Sequence, residues 1–479
     1  MRDSTRDTDH AASGPAGWLQ DLLVVELGDR IAVGACGSLF AQAGATVVLV
    51  EPRRPRAARG KWLHRALFAA GKQSLLHDDS RAEDVALLSE LLARADFVLR
   101  SSDMDEPLQA AFQQACANAA ACVDFTAFGT AFSAAFGSAS ATQAEQAQGA
   151  EETCAKIAYS DAMVQALSGV AHTSGFADGP PVPLRMPALE YCAAVYGATA
   201  CMAALRSGLA QSVDMALFDC AISALSTFLP ALYGGKDPGR IGNGHAMAAP
   251  WNAYPAKDGW LLLCSTTDAQ WQRICQVMQT PQYVDDPRFK GLNDRMTNRE
   301  TLNVVVGEWV QSLDVAACAE RLSALELACG SIVELDALGE EANLAHRAMV
   351  HTVHDAHSDT MLRIPGSVLR NASASGHVAT HIVAPDENRA ALQALCQTRK
   401  PRPAASEHSS ATQLPLHGLR VLEVGQYTTA PLTARHLATL GAEVLKIEPP
   451  GGDVTREWPP CVDGLGIFFV MSNSGKKSV

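Results

Sequence analysis

The sequence lacks the features that mark membrane, secreted and nucleic-acid-binding proteins. No run of about 18 uncharged apolar residues is present, so no segment is expected to cross a membrane. The first residues, MRDSTRDTDHAASGPAG, are polar and have no apolar centre of a secretory signal. The net charge is −13 and no stripe of lysine and arginine occurs, which argues against nucleic acid as a partner.

Paired cysteines are also missing. The 13 cysteines are scattered and never form a C-x-x-C motif, so neither a zinc site nor a disulfide framework is expected. Several of them, such as Cys201 and Cys220, lie among apolar neighbours, where a free thiol behaves as a small hydrophobic side chain. We therefore expect a cytoplasmic protein without a bound metal.

What the sequence does contain is a repeated segment. We call residues 22–75 the first repeat and residues 419–479 the second repeat. Identical residues recur between them at a constant separation of 397 positions, and AGKQSL around Lys72 also corresponds to SGKKSV around Lys476. Seven of the identical pairs are Glu26 and Glu423, Gly28 and Gly425, Gly44 and Gly441, Ala45 and Ala442, Val47 and Val444, Glu51 and Glu448, and Pro52 and Pro449.

The first repeat has the pattern of a βαβ unit. Residues 22–27 and 46–51 are apolar and β-branched, as in buried parallel strands, and a helical stretch joins them. Such a unit implies a parallel sheet covered by helices. An NAD site is one interpretation, because Glu51 follows Gly28 at about the spacing seen in dinucleotide-binding folds. However, GDRIAVG is not the glycine pattern that such a site requires.

Other segments also carry secondary-structure patterns. RAEDVALLSELLARADFVL predicts an amphipathic helix followed by a strand, and residues 161–228 have a helical composition. Asp258 and Gly259 mark a turn before a strand, and residues 129–152, rich in Ala, Ser and Gln, predict a flexible insertion. The residues expected on the buried face of the amphipathic helix are Val85, Leu87, Leu88, Leu91 and Leu92.

Six segments occur in a fixed order: VVELGDRIAVGACGSLFAQAGATVVLVEP, AGKQSL, ALSGVAHTSGFADGPPVP, SVDMALFDCAISAL, GRIGNGHAMAAPWNAYPAKDGW and DDPRFKGLNDRMTNRETL. Taken together in this order, they resemble the family III CoA-transferases, which include the formyl-CoA, carnitine and bile-acid CoA-transferases. The resemblance covers about residues 20–375 and starts again at 415. It implies an α/β fold, in which a large domain with a Rossmann-like parallel sheet carries a smaller inserted α+β domain. It also implies acyl-CoA and a small carboxylic acid as substrates, and an interlocked homodimer.

The resemblance suggests a domain organisation. Residues 1–17 are expected to form a disordered tail, 18–396 one CoA-transferase unit, and 397–414 a linker rich in Pro, Ser and Ala. Residues 415–479 would be the truncated start of a second unit in a tandem protein. Tandem members of the family include a dimethylsulfoniopropionate-cleaving enzyme. A lone βαβ segment cannot bury its apolar face, so we expect the second repeat to pack poorly or to dock onto the first unit.

The resemblance also identifies a candidate nucleophile, Glu190. Members of the family use an aspartate that attacks the thioester, gives a mixed anhydride and then becomes an enzyme thioester. Counting eleven residues from Gly179 in the GPP loop reaches Glu190, which has one more methylene than aspartate. A displacement of roughly 1.5 Å can lower a rate about a hundredfold. Alternatively, Glu190 is an ordinary acidic residue at a helix start that interacts with the helix dipole.

The same resemblance suggests roles for further residues. Lys72 and Lys476 match a lysine that contacts CoA phosphates, a task suited to a mobile point charge, although either could be an ordinary exposed lysine. The chain departs from the family at FVLRSSDMDEP and has Ser160 before Asp161, which disfavours the proton-shuttle chemistry of related racemases. His245 is interpreted as a structural residue. The alternatives left open are a non-catalytic CoA-binding or assembly half of a tandem or heteromeric transferase, and an NAD-dependent enzyme.

Overall fold

The computed structural model describes residues 17–53, 66–101, 106–129, 159–233, 235, 239–369, 379, 381–403, 413–458 and 461–479. Most of the predicted tail, nearly all of the predicted insertion and the middle of the predicted linker lie outside these residues. The chain divides into two compact units. The first comprises Met1–Asp161, Pro187–Cys220 and Asn343–His417, and the second comprises Ala162–Met186, Ala221–Ala342 and Gly418–Val479.

The strands are numbered in chain order. They are β1 Leu23–Leu27, β2 Thr46–Pro52, β3 Gln73–His77, β4 Phe97–Ser101, β5 Ala121–Thr126, β6 Gln211–Ala216, β7 Trp251–Pro255, β8 Trp260–Cys264, β9 Ala328–Ser331, β10 Val350–Asp355, β11 Thr360–Pro365, β12 His381–Ile382, β13 Arg420–Val424, β14 Glu443–Ile447, β15 Cys461–Val462, β16 Leu465–Gly466 and β17 Lys477–Ser478.

The α-helices are numbered in the same way. They are α1 Ile31–Gln42, α2 Ala82–Leu92, α3 Glu106–Ala115, α4 Asp161–Leu167, α5 Ala188–Ser207, α6 Leu217–Ala224, α7 Phe228–Tyr233, α8 Asp268–Met278, α9 Leu292–Thr297, α10 Arg299–Gln311, α11 Val315–Ser323, α12 Ala342–His346, α13 Arg389–Thr398, α14 Thr429–Thr439 and α15 Ile467–Asn473.

The first unit is built on a six-stranded parallel sheet in the order β3-β2-β1-β4-β5-β6. All five residues of the central strand β1 are buried, because helices cover the sheet on both faces. The helices α2, α3 and α13 contribute apolar side chains to one core, while α1 contacts β1, β2 and β4, and α5 contacts β5 and β6. The predicted parallel sheet with covering helices is therefore confirmed.

Helices α1 and α5 pack closely because small residues line their contact. Gly197 of α5 lies against the Phe125 ring, where an added Cβ would come within 2.7 Å of a ring carbon. By length and composition alone α5 could cross a membrane, but 44% of its apolar window is buried in the protein. We interpret α5 as a core helix of the sheet.

The second unit contains separate small sheets. Strands β7, β8 and β9 form an antiparallel sheet, and the predicted turn at Asp258 and Gly259 connects the β7-β8 hairpin. Helices α8, α10 and α11 pack their apolar sides into a core with this sheet. The second repeat forms a parallel sheet in the order β13-β14-β17, and α15 contacts α7 and the turn at Leu225–Thr227 within the same unit.

The two repeats share one strand register. In the first repeat Val24 lies opposite Val47, and 397 positions later Val421 lies opposite Val444. The third strands also correspond, because β3 and β17 both add in parallel to the second strand of their repeat. The identical spacing in the sequence therefore corresponds to identical backbone pairing.

Two local predictions were wrong. Residues 161–228 are not helical throughout, because β6 adds to the edge of the sheet between α5 and α6. Val85 does not lie on the buried face of α2, since it is 44% exposed whereas Leu87, Leu88, Leu91 and Leu92 are buried. Val85 stands three residues before Leu88, a spacing that places two side chains on the same side of a helix. In the structure, however, Val85 lies at the boundary of the buried face.

Candidate active site

Glu190 occupies the first turn of α5. Pro187 at the N-cap offers no side-chain acceptor, and the carboxylate of Asp161 takes over this task. Its Oδ2 accepts hydrogen bonds from the backbone N–H groups of Leu189, at 2.8 Å, and of Glu190, at 2.9 Å. The backbone that carries Glu190 is therefore fixed by a cap that comes from another part of the first unit.

The carboxylate of Glu190 is buried and points to the start of α1. Its Oε2 accepts a hydrogen bond of 2.9 Å from the backbone N–H of Ala32, and its Oε1 forms an ion pair with the guanidinium of Arg30. The residue is only 3% exposed. The first N–H groups of a helix lack intrahelical acceptors and carry partial positive charge. The carboxylate of Glu190 thus lies at the positively polarised start of α1.

Arg30 is held in place by two further contacts. It donates a hydrogen bond of 2.9 Å from one guanidinium nitrogen to the backbone carbonyl of Tyr159. Its Cζ lies 3.9 Å from the centroid of the Tyr159 ring, in cation–π geometry. The side chain of Arg30 is 16% exposed, against 4% for that of Glu190. Of the two charged groups, the cation is therefore the one closer to solvent.

The environment of Glu190 has opposing effects on its pKa. Burial raises the pKa, and the charge of Asp161 raises it further. The charge of Arg30 and the hydrogen bond from Ala32 lower it, but burial is the largest of these effects. The carboxylate is therefore more basic than a solvated glutamate, and Arg30 is the main group that favours its ionised form.

Lys72 lies in the interior of the first unit. Its Nζ donates hydrogen bonds to Oε1 of Glu26, at 2.6 Å, and to the backbone carbonyl of Gly34, at 2.8 Å. Neither charged side chain is exposed. Burial raises the pKa of Glu26 to about 7 and lowers the pKa of Lys72, and the attraction between the two groups opposes both changes. The ammonium thus joins β1 to the first turn of α1.

The room for this ion pair depends on Gly37. A Cβ at this position would lie 1.5 Å from Oε1 of Glu26, so any larger residue must displace the carboxylate. Because Gly37 has no side chain, the carboxylate of Glu26 and the ammonium of Lys72 have room to form their ion pair against α1.

Lys476 repeats the contacts of Lys72 in the second repeat. Its Nζ donates to Oε2 of Glu423, at 2.6 Å, and to the backbone carbonyl of Pro431, at 2.7 Å. Glu423 and Pro431 stand 397 positions after Glu26 and Gly34. A second ammonium, that of Lys446, also bonds to Glu423 at 2.8 Å. Both lysines that were predicted to contact CoA phosphates are thus placed in ion pairs with a buried glutamate.

A cavity of about 310 Å³ lies beside the candidate nucleophile in the first unit. Tyr191 and Val195 of α5 line it together with Leu39 of α1 and His351 of β10. Glu190 itself faces the other way, toward the start of α1, and does not line this cavity. Tyr191, which follows Glu190 in the chain, is 44% exposed.

The remaining predicted residues have evident structural contacts. Asp161 caps α5, and His245 stacks on Trp251 with ring centroids 4.4 Å apart. Burial and the charge of Arg299 lower the pKa of His245. Within the described ranges no group of three or more His, Cys, Asp and Glu residues could hold a metal ion, and the described cysteines are free thiols.

Sequence reasoning did not identify Arg30 or Ala32. Both lie just after β1, at the carboxyl end of a central parallel strand, where ligands commonly bind in open α/β sheets. Applied to the sequence, that rule predicts an anion-binding site at the GDRIAVG segment, even though this segment lacks the glycine pattern of a dinucleotide site. The pairing with Glu190 spans 160 positions and has no local signature.

The family model for CoA-transferase family III matches residues 19–120, 126–388 and 416–479. Among curated relatives, the chain is 26% identical to the succinyl-CoA:mesaconate CoA-transferase of Haloarcula hispanica over 48% of this chain and 59% of the relative. It is 30% identical to the acetyl-CoA:oxalate CoA-transferase of Acetobacter aceti over 39% of this chain and 49% of the relative. The chain thus spans about half to three-fifths of the length of these relatives.

Solved structures with the same fold include a CaiB/BaiF family protein from Brucella suis. It superposes with a TM-score of 0.62 at 21% identity, over 80% of this chain and 100% of the other. A protein from M. tuberculosis gives a TM-score of 0.64 at 19% identity, over 79% of this chain and 100% of the other. These similarities establish the fold.

Proposed function

We propose, from the premise that this chain belongs to CoA-transferase family III, that it moves coenzyme A between carboxylic acids through the carboxylate of Glu190. The observation that carries the proposal is the position of that carboxylate. It is buried, it accepts a hydrogen bond from the first turn of α1, and Arg30 favours its charged form. An ionised carboxylate largely removed from water is a stronger nucleophile than a solvated one.

The proposed reaction begins when a carboxylate oxygen of Glu190 attacks the carbonyl carbon of an acyl-CoA. A C–O bond forms, the C–S bond breaks, and the CoA thiolate leaves a mixed anhydride behind. The thiolate then attacks the Glu190 carbonyl carbon, which releases the donor acid as a carboxylate and leaves Glu190 as a CoA thioester. The acceptor carboxylate attacks this thioester, and the expelled thiolate finally takes the acceptor acyl group, which restores the Glu190 carboxylate.

The start of α1 supports the negative charge that develops in these steps. Each tetrahedral intermediate carries an oxyanion that requires preorganised donors. The N–H of Ala32 already points at the Glu190 carboxylate. In the proposed mechanism this group, with the other N–H groups of the first turn, stabilises the oxyanion formed at the carbon of Glu190.

We propose short dicarboxylic acids as the substrate class. The names of similar proteins include succinate, mesaconate, oxalate and D-citramalate as partners in the exchange. We also propose that the enzyme is a cytoplasmic homodimer and that residues 415–479 form the start of a second unit. In addition, we propose that Lys72 and Lys476 contact CoA. The burial of both lysines means that such a contact would require them to leave their ion pairs.

A second candidate function is a non-catalytic half that binds CoA or supports assembly. One observation favours it: both carboxylate oxygens of Glu190 are already bonded, one to Arg30 and one to the N–H of Ala32. Arg30 at the N-cap of α1 offers no side-chain acceptor, so Glu190 also serves as the cap of that helix. In this alternative Glu190 is purely structural.

An exchange assay tests the proposed activity. The protein is incubated with succinyl-CoA and isotopically labelled succinate, and the label entering the thioester is followed over time. The proposal predicts exchange by the native chain and none by the Glu190→Gln variant, whose amide keeps the shape but is not a nucleophile. Equal exchange by both would contradict it. CoA binding by the native chain without exchange would support the non-catalytic alternative.

A further inference from the structure

Arg30 and Glu190 form a charge pair whose negative member is consumed during the proposed reaction. Acylation converts the Glu190 carboxylate into a neutral anhydride or thioester, whereas the guanidinium of Arg30 remains charged at all relevant pH values. The side chain of Arg30 is mostly buried, and a buried cation that loses its carboxylate is strongly destabilised. The same step generates a new anion, first the thiolate and then the carboxylate of the released acid.

We infer that Arg30 is the binding site for the carboxylate of the exchanging acid, and that this carboxylate replaces Glu190 on the guanidinium when Glu190 is acylated. This inference rests on the proposed function and names a residue role that it leaves open. In the resting enzyme, no substrate acid is bound, and the carboxylate of Glu190 binds Arg30 in its place.

The geometry suits this exchange. The backbone carbonyl and the ring of Tyr159 anchor the guanidinium through contacts that do not involve Glu190. The cation can therefore keep its position when Glu190 changes its charge. A planar guanidinium binds a carboxylate through two parallel N–H donors, which orients the acid as well as attracting it.

The position of Arg30 also defines its chemical task. A carboxylate bound to a group in contact with Oε1 of Glu190 lies next to the carbon that it must attack. The released donor acid starts from the same place, because it departs from the anhydride at Glu190. One cation thus serves both the leaving and the attacking carboxylate, as the symmetry of the exchange requires.

Calorimetric titration with succinate tests this inference without requiring turnover. The Glu190→Gln variant imitates the neutral, acylated side chain, and the inference predicts that it binds succinate about 10- to 100-fold more tightly than the native chain. This range corresponds to the strength of a hydrogen bond to a charged group. Adding Arg30→Gln to Glu190→Gln should abolish the gain. Folding of every variant is checked by circular dichroism and thermal unfolding.

A matched control distinguishes the effect of removing Arg30 from the effect of changing the net charge of the protein. Arg206 is an exposed arginine on the same helix as Glu190, so Arg206→Gln combined with Glu190→Gln has the same net charge as the Arg30 double variant. This control should keep the tighter binding. If Glu190→Gln does not fold, Glu190→Ala replaces it, because it also removes the negative charge.

The outcomes distinguish this inference from the proposed function. Succinate binding that does not tighten in Glu190→Gln, or that stays tight when Arg30 is also replaced, overturns the role of Arg30. A native chain without exchange activity overturns the proposed function, yet the titrations still decide whether Arg30 binds carboxylates. Tighter binding that is lost only with Arg30 supports the inference.

Discussion

At the residue scale, the proposed chemistry depends on the two groups that bind the carboxylate of Glu190 and on the one that fixes its backbone. Glu190 accepts from Arg30 and from the N–H of Ala32, and its backbone is fixed by Asp161. Counting along the GPP loop was sufficient to select Glu190 as the candidate nucleophile, because the resemblance supplies the position expected for that residue. Its partners could not be predicted, since Arg30 and Glu190 come together only through the packing of α1 on α5.

The pH dependence of acylation follows from the shifted pKa of Glu190. Only the ionised carboxylate attacks a thioester, so the rate should fall as the pH drops through a pKa above the ordinary glutamate value. Because Arg30 lowers this pKa, Arg30→Gln should move the acidic limb to higher pH. The single-turnover rate of acylation, measured against pH for both proteins, checks this. An acidic limb that moves to lower pH in the variant would contradict the assigned effect of Arg30.

The length of Glu190 is a second test at this scale. Shortening it to aspartate withdraws the carboxylate by roughly 1.5 Å, which breaks its contacts with Arg30 and Ala32. We expect Glu190→Asp to acylate about a hundredfold more slowly, since a displacement of this size disrupts the reacting geometry. The acylation rate is measured by rapid quench. Faster acylation by Glu190→Asp would mean that the extra methylene hinders the native chain.

At the element scale, the ion pair of Lys72 and Glu26 connects β1 with the start of α1. Because the N–H of Ala32 in that first turn contacts Glu190, this buried pair also positions the candidate site. The apolar, β-branched runs at residues 22–27 and 46–51 were sufficient to predict β1, β2 and the helix between them. β6 was not predicted, because Gln211–Ala216 is a half-exposed edge strand that follows a long Ala-rich helix and has no continuous apolar run.

The stability of the first unit should depend on this pair. Lys72→Met leaves the carboxylate of Glu26 buried without its ammonium, and breaking a buried ion pair costs about 3–5 kcal/mol. Replacing both residues, as Lys72→Met with Glu26→Leu, should recover most of the loss, because no unpaired charge remains. Urea unfolding of the single and double variants measures these free energies. A Lys72→Met variant with native stability and weakened CoA binding would instead support a direct contact with CoA.

At the scale of the whole molecule, the two repeats have the same backbone pairing but different burial. Val25 and Leu27 in β1 are fully buried, whereas their counterparts Leu422 and Val424 in β13 are 64% and 76% exposed. In the first unit β4 pairs with β1 of the first repeat, and α2 and α3 supply side chains to the core on that sheet. In the described second repeat β13 pairs only with β14, so its outer edge and one face remain in contact with solvent.

Hydrogen exchange should report this difference directly. The backbone amides of β13 and β14 are expected to exchange much faster than those of β1 and β2, since local opening exposes less additional apolar surface. Peptides covering residues 22–52 and 419–450 provide an internal comparison between matched sequences. Equal protection of the two peptides in the isolated chain would show that another surface covers the second repeat.

The central claim is that Glu190 becomes covalently acylated, and intact-mass spectrometry tests it most directly. The protein is incubated with a panel of acyl-CoAs and then treated with hydroxylamine, which converts a Glu190 thioester or anhydride into a stable hydroxamate. The account predicts an adduct that peptide mapping places on Glu190 and that is absent from the Glu190→Gln variant. No adduct with any donor, from a protein that still binds CoA, would contradict the account and leave Glu190 as the cap of α1.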